Sequence, residues 1–475
     1  MQRTTATAGD AVLKEQRKQN DLLEEYRTKM EMPKSQMAAL RDEIVRQMQA
    51  GLSGKKSSLL MIPSMVDILP TGKECGEFFA IDIGGTNFRT VYMALSEEHG
   101  KVAEVTMKQY EIPEELFTCH ASKLYDFMAS ALVKFAKDLG RAGKNGRPTV
   151  GFCFSFPCTQ TSLNSGTLVK WTKSFNNPGG IGEDPVRMLS AAFERAGMKV
   201  DVDVMLNDTV GTLAAARYFD PDAMVGVIAG TGTNAGYVED ICNIGTLPKS
   251  YKPGDKHHMI INTEWGALTS PLLPLTPVDM KLDAITPNVG EQHFEKLTGG
   301  MYMGEIARRI LLQLAEEAEL FGGSVPEGLR KEWSLSTPDM CKIDHDNSLM
   351  GSSALRVLQK CFNLSWPQAF RARHAAKSVA ALVSTRSARL SATAISAALR
   401  QQKRDTGSAR TVVAVDGGVF EHYTAYRQQL RNALEDLLGK AAADNIVLKH
   451  QPDGSSMGAV ALAAAVASGH MEREV

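Results

Sequence analysis

The chain has no long hydrophobic run. Its most continuous apolar stretch, residues 457–468, is short and alanine-rich. That is well below the ~18 to 20 residues a helix needs to cross a bilayer, so a membrane-spanning helix is excluded. It also lacks an excess of either charge. The 53 basic and 54 acidic side chains leave a formal net charge of −1, which argues against nucleic-acid binding through a general basic field. Cysteine is sparse: seven thiols stand at positions 75, 119, 153, 158, 242, 341 and 361, with no Cys-x-x-Cys spacing. An odd, scattered set fits buried thiols in a reducing compartment, not a disulfide framework or a zinc site. The ten histidines show no metal spacing either, and His257-His258 reads as a solvated loop. The first twenty residues are polar, with no apolar core for a secretory signal. Residues 1–9 are threonine-rich and free of acids, a trait of transit peptides that a short disordered tail explains more simply.

What is present is an ordinary globular composition, 43% apolar and 23% charged, spread over too many residues for one core. At 475 residues, two large domains, or one domain split by insertions, is the natural expectation. Residues 11–30 read as a helix. After Pro33, the spacing of Met37, Leu40, Ile44, Met48 and Leu52 predicts a second, amphipathic one, with Ser35 as candidate cap and Gly51 and Gly54 near its end. Residues 78–83 and 90–94 flank Gly84-Gly85 as a β-hairpin. Residues 150–156, 202–206, 224–229 and 411–415 read as further strands. Residues 209–218, 301–320, 368–402, 421–438 and 459–467 read as helices. Interleaved strands and helices indicate an α/β protein. Three strand–glycine-turn units, at Asp82-Ile-Gly-Gly-Thr-Asn87, Gly230-Thr-Gly-Thr-Asn234 and Asp416-Gly-Gly418, form a weak internal repeat.

Glycines in such turns let backbone N–H groups approach a ligand, most often a phosphate. Gly85 in particular is expected at a positive φ, close to the phosphates. No G-x-x-x-x-G-K-[ST] occurs, which excludes a P-loop NTPase. Gly230 to Gly236 is spaced one residue off the dinucleotide fingerprint and has no well-placed acid downstream. Gly454-Ser-Ser456-Met-Gly458 is formally G-x-S-x-G, but no acid lies between Ser456 and His470, so the serine-hydrolase order fails. Those glycines serve equally well as a turn before the last helix. More informative are polar residues where apolar ones belong. Asn207-Asp208 ends a buried-type strand just before a helix, where Asp208 is either a cap or a functional carboxylate. Lys173 ends another predicted strand, a position where a lone lysine is usually solvated. Glu264 before Trp265 and Glu295 before Lys296 are unremarkable alone.

Together these segments carry a resemblance. Ile81-Asp-Ile-Gly-Gly-Thr-Asn-Phe-Arg89, Phe152-Cys-Phe-Ser155-Phe-Pro157, Trp171-Thr-Lys173-Ser-Phe175, Asn207-Asp-Thr-Val-Gly-Thr-Leu213 and Gly230-Thr-Gly-Thr-Asn234 closely resemble, in order, the signature segments of eukaryotic hexokinases. The resemblance runs from about residue 40 to 467. Asn262-Thr-Glu-Trp-Gly266, Thr337-Pro-Asp-Met340 and Val415-Asp-Gly-Gly-Val-Phe-Glu-His-Tyr423 make it most similar to the plant and green-algal branch. Three departures stand out: Ser174 and Ser456 where the family has glycine, and Asn288-Val-Gly290 in place of Asn-Pro-Gly.

The resemblance implies a two-domain actin-like ATPase (ribonuclease H-like) α/β fold with a central cleft. The expected divisions are a tail and helix at 1–34, a packing helix at 35–70, a small domain at 71–217, a large domain at 218–458, and a helix at 459–475 returning to the small domain. It implies phosphorylation of a hexose, glucose first, with mannose or fructose as further substrates, at the 6-hydroxyl from Mg-ATP. Asp208 is the expected general base, and Lys173 adds positive charge beside the reacting hydroxyl. Ser155, Thr172, Lys173, Asn207, Asp208, Asn234, Glu264, Gln292 and Glu295 are the expected sugar set. Asp82, Gly84, Gly85, Thr86, Asn87, Arg89, Thr231, Thr233, Gly417 and Gly418 are the expected nucleotide set. No direct metal ligand is expected: Mg2+ arrives with ATP, and Asp82 reaches it through water. A monomer in the cytosol is expected, with the plastid stroma as the alternative compartment. The competing function is a hexokinase-like glucose sensor with little catalysis.

Overall fold

The computed structural model describes residues 8–85, 87–142, 147–172 and 174–471. Two sheets of the same topology form its frame. In the first, Gly76–Ile83 pairs antiparallel with Asn87–Leu95, which pairs antiparallel with Val102–Glu111. On its other side Gly76–Ile83 pairs in parallel with Thr149–Phe154, and that strand in parallel with Asp201–Leu206. In the second, Ala223–Ala229, Thr233–Asp240 and His258–Asn262 form the antiparallel trio, while Thr411–Asp416 and Ile446–His450 continue in parallel. Ile62–Pro63 adds a short edge. The repeat in the sequence is therefore a repeat of whole sheets. The turns after Ile83 and Ala229 join equivalent hairpins. Asp416, by contrast, ends a fourth strand, so its counterpart is the region of Ser155, not Asp82.

Each sheet hands a helix to the other. Asp208–Phe219 follows the last strand of the first sheet and packs on the second, and Gly454–Met471 does the reverse. The two helices cross at Gly211 and Gly458, where a Cβ on Gly458 would stand 1.9 Å from the Gly211 carbonyl oxygen. No side chain fits there, so the backbones touch. A buried apolar cluster built from both helices and the facing sides of both sheets surrounds this crossing. A second cluster fills the outer face of the first sheet under the helices Ala121–Asp138 and Pro185–Arg195. The third and largest lies between the second sheet and the helices Lys34–Leu52, Gly300–Ala318, Trp366–Gln401 and Thr424–Leu438. Among the described residues no helix is long and apolar enough to cross a membrane.

Several local expectations change. Ser35 lies inside its helix, which begins after Pro33 without a side-chain cap. The helix expected at 421–438 is two, Gly418–His422 and Thr424–Leu438, broken at Tyr423. His258 opens a strand and pairs with Asp240, although it remains exposed. Gly454 to Gly458 are not a turn before the last helix; they are its first turns, because Asp82 and Asp416 accept hydrogen bonds from them.

Candidate active site

The strand Asp201–Leu206 ends in a buried apolar trio, and Asn207 turns the chain into the next helix. Its Oδ1 accepts from Thr209 N at 3.0 Å, Val210 N at 3.2 Å and Thr209 Oγ1 at 2.7 Å. The capping expected of Asp208 is thus done by Asn207, which leaves Asn207 its Nδ2 for other work. Asp208 becomes the first helical residue, at the positive end of the helix dipole. Its Oδ1 accepts from Asn207 Nδ2 at 2.9 Å and from Thr209 N at 2.8 Å. The carboxylate is half-buried and oriented from both sides.

Across from it stands a polar cluster on the second sheet. Asn262 ends one strand and Asn234 is the second residue of its neighbour. Asn234 Nδ2 donates to Asn262 Oδ1 at 2.9 Å and to Glu264 Oε1 at 3.3 Å, and Asn262 Nδ2 donates to Glu264 Oε1 at 2.8 Å. Glu264 itself has φ 50°, a left-handed conformation that costs a glutamate energy and recurs at ligand sites. Glu295 Oε2 accepts from Thr233 N at 3.2 Å. Gln292, also left-handed, lies over Gly266. The loop carrying Gln292 is fastened by a buried ion pair of Lys296 Nζ with Asp283 at 2.5 Å, and by Gly290 N, which donates to Asp283 at 2.9 Å. Asn207, Phe156 and Cys158 on one side, with Ser64, Asn262 and Glu264 on the other, line one pocket.

Ser155 follows the strand Thr149–Phe154, its N–H donating to the Ile83 carbonyl at 3.0 Å. Thr172 is half-buried and lies in a loop beyond the hairpin strand Ser165–Leu168, not at a strand end. Lys173 and Thr86 fall outside the described residues. Ser174 has φ 72°, a glycine conformation carried here by serine.

A second group gathers at the start of Gly454–Met471. Asp82 Oδ2 accepts from Ser455 Oγ at 2.6 Å and from Ser456 Oγ at 2.8 Å. Arg89 Nη1 meets Asp453 Oδ1 at 2.9 Å. Asp416 accepts from Gly417 N at 2.7 Å and Gly454 N at 3.0 Å. Burial raises the Asp416 pKa, against the pull of those two amides. Burial likewise pushes the Cys153 thiol well up, with the charges of Asp82 and then Asp208 adding to it.

The turns of Gly230 and Gly417 abut. Gly417 has φ 113°, and a Cβ on it would sit 2.6 Å from the Ala229 carbonyl carbon. Neither glycine puts a side chain between the two turns, so their backbones meet directly. Gly418 opens a short helix there. Gly84, Gly85 and Asn87 form the half-exposed turn of the first hairpin. Gly85 departs from expectation: its φ is not in the left-handed region, and an added Cβ would meet nothing within 4 Å. Thr231 is exposed, but Thr233 is buried, its hydroxyl accepting from Trp265 Nε1 at 3.0 Å. Of the two threonines only Thr231 presents an open side chain.

Among the described residues no three His, Cys, Asp or Glu side chains stand together as a metal cage. A hard cation that brings most of its own oxygen ligands fits this donor set, since the side chains near the turns, Asp82 and Asp416, offer carboxylate oxygens. Asn262, which ties Asn234 to Glu264, was not singled out as a site residue in the sequence. An amide ending an otherwise apolar strand was its available signal.

Two family profiles, each described as "Hexokinase", match residues 22–218 and 224–466. Hexokinase-1 of Nicotiana tabacum is 42% identical over 458 residues, 93% of this chain and 90% of the relative. Hexokinase-2 of Oryza sativa subsp. japonica is 41% identical over 455 residues, 94% of this chain and 91% of the relative. A hexokinase from Schistosoma mansoni solved with glucose superposes with a TM-score of 0.81 at 30% identity, covering 94% of this chain and 99% of that one. A second solved hexokinase gives 0.82 at 29% identity, covering 95% and 100%. With its duplicated sheets and their paired glycine turns, the chain belongs to the hexokinase family, on its plant branch.

Proposed function

We propose that the chain transfers the γ-phosphoryl group of Mg-ATP to the 6-hydroxyl of a hexose, glucose above others, with Asp208 as the general base. Sugar phosphorylation by ATP is the work of the family to which the chain belongs. One observation carries the finer reading: Asn207, the cap that orients Asp208, faces the Asn234–Asn262–Glu264 cluster across a single pocket. A hexose offers donors and acceptors on neighbouring carbons. Carboxylates and amides that already bridge one another can bridge its hydroxyls in the same way.

A primary hydroxyl is a poor nucleophile at neutral pH. As its oxygen bonds to the γ-phosphorus, its proton passes to a carboxylate oxygen of Asp208 while the bond to the β-phosphate oxygen breaks and ADP leaves. The helix dipole and the Asn207 and Thr209 donors favour Asp208 as an anion, ready to accept. Glu264, Glu295, Asn234 and the Asn207 amide hold the sugar, with Ser155, Thr172 and Gln292 at its edges. Lys173 is the expected cation beside the reacting oxygen. Asp82, Arg89 and the bare turns at Gly230 and Gly417 face the nucleotide. Mg2+, when bound with ATP, supplies charge neutralisation at the phosphates.

A coupled ADP-release assay with Mg-ATP and a panel of hexoses tests this. Glucose-dependent turnover with a sugar 6-phosphate product is expected. ADP release without sugar phosphate, or none with any hexose, overturns it.

A further inference from the structure

Ser456 is fully buried, and its hydroxyl reaches across from the second sheet's helix to a carboxylate on the first sheet. Ser455 does the same, and both bonds fall on one oxygen, Asp82 Oδ2, at 2.6 and 2.8 Å. Hydroxyl-to-carboxylate bonds of this length are charge-assisted and fix the acceptor's geometry. The same short turn receives Arg89 through Asp453 and gives its Gly454 N–H to Asp416. Residues 453–456 thus hold, within four positions, the strand-end carboxylates of both sheets and the Arg89 guanidinium. At position 456 the resemblance has glycine, which has no hydroxyl to offer, so this second bond to Asp82 belongs to this chain.

We infer that Ser456 is a positioning residue for the nucleotide: with Ser455 it commits Asp82 Oδ2 to the helix start and thereby sets how the carboxylate meets the metal–nucleotide. The inference rests on the reading of Asp82 as a nucleotide-side group. The bond is made within the protein, so it exists before ATP arrives, and its effect belongs to nucleotide affinity and not to the sugar.

The test is calorimetric, on the full chain without turnover. Mg-ADP and metal-free ADP are titrated into wild type, Ser456→Ala, Asp82→Asn and the double variant, with melting curves alongside. Ser456→Ala should weaken Mg-ADP by about tenfold, the size of one hydrogen bond to a charged group. It should leave metal-free ADP and glucose affinity unchanged, and in the Asp82→Asn background it should have no further effect. Ser455→Ala, acting on the same oxygen, should behave alike. If wild type binds Mg-ADP and Ser456→Ala binds it equally well, the inference is overturned alone. A loss that is equal for both forms of ADP, or that persists beside Asp82→Asn, shows Ser456 acting on packing and overturns it too. Failure of the wild type to bind Mg-ADP overturns the kinase reading, and this inference with it.

Discussion

Replacing Asp208 by asparagine separates what this residue does for the fold from what it does for the reaction. Asparagine keeps an oxygen where Oδ1 accepts from Asn207 Nδ2 and Thr209 N, at 2.9 and 2.8 Å. The cap itself belongs to Asn207 and is untouched. What is lost in the fold is one negative charge in a helix's first turn, ~0.3 to 1 kcal/mol. A general base contributes ~10²- to 10⁴-fold, equivalent to ~3 to 5 kcal/mol of barrier. The two effects differ enough to be read apart. Three measurements are needed: a melting curve, a glucose titration and a single-turnover rate. Asp208→Asn should melt within a few degrees of wild type, bind glucose nearly as well, and turn over at least about 100-fold more slowly. Asp208→Ala should lose turnover similarly. If either variant keeps more than about a tenth of the wild-type rate, proton transfer to Asp208 is not what limits the barrier. A loss of glucose affinity as large as the loss of rate would make it a binding group.

Glu264→Gln keeps the size of the side chain but removes the charge that accepts from Asn234 and Asn262. It should raise the glucose KM by about ten- to a hundredfold, the cost of one to two charged hydrogen bonds, with the ATP KM unchanged. An ATP KM that rises equally would displace Glu264 from the sugar set. Gly85→Val should fold normally, because a Cβ there meets nothing within 4 Å, yet raise the ATP KM by crowding the phosphates. Unchanged kinetics would make this turn structural only.

The fold was legible where periodicity was strong. The buried strands around Ile81, Val204, Val227 and Val413 and the long helix Trp366–Gln401 show in their apolar patterns. The strand Val102–Glu111 does not, because it is an edge whose residues are mostly exposed. The glycine turns announced a repeat but not its extent, since topology emerges only when parallel partners far apart in sequence meet. Asp208 and Glu264 could be picked from resemblance, but the division of labour could not. That Asn207, and not Asp208, caps the helix depends on which side chain turns back. Glu264 looked ordinary because backbone strain leaves no mark in the residue name. Ser174, by contrast, sits at a position whose left-handed φ explains why glycine is usual there.

The arrangement of the two halves leads to a prediction about motion. Asn207 and Ser155 lie at strand ends of the first sheet, whereas Asn234 and Glu264 lie on the second. A sugar held by both groups bridges the sheets. The crossing helices meet backbone to backbone at Gly211 and Gly458, the closest approach of the two halves along these helices and the point about which one can turn on the other. Bridging by sugar should therefore turn one half toward the other about this crossing and exclude water from the reacting atoms. Small-angle scattering should show a smaller radius of gyration with glucose than without. Xylose, which has every ring hydroxyl but lacks the reacting carbon, should produce the same contraction and stimulate slow ATP hydrolysis, with water in place of the 6-hydroxyl. Gly458→Ala, which puts a methyl group where 1.9 Å is available, should force the helices apart and weaken both effects together. Identical scattering curves with and without sugar, and no hydrolysis with xylose, would mean that the two halves already stand in their catalytic arrangement. The pocket between Asn207 and Glu264 would then be a rigid site that admits sugar without closing.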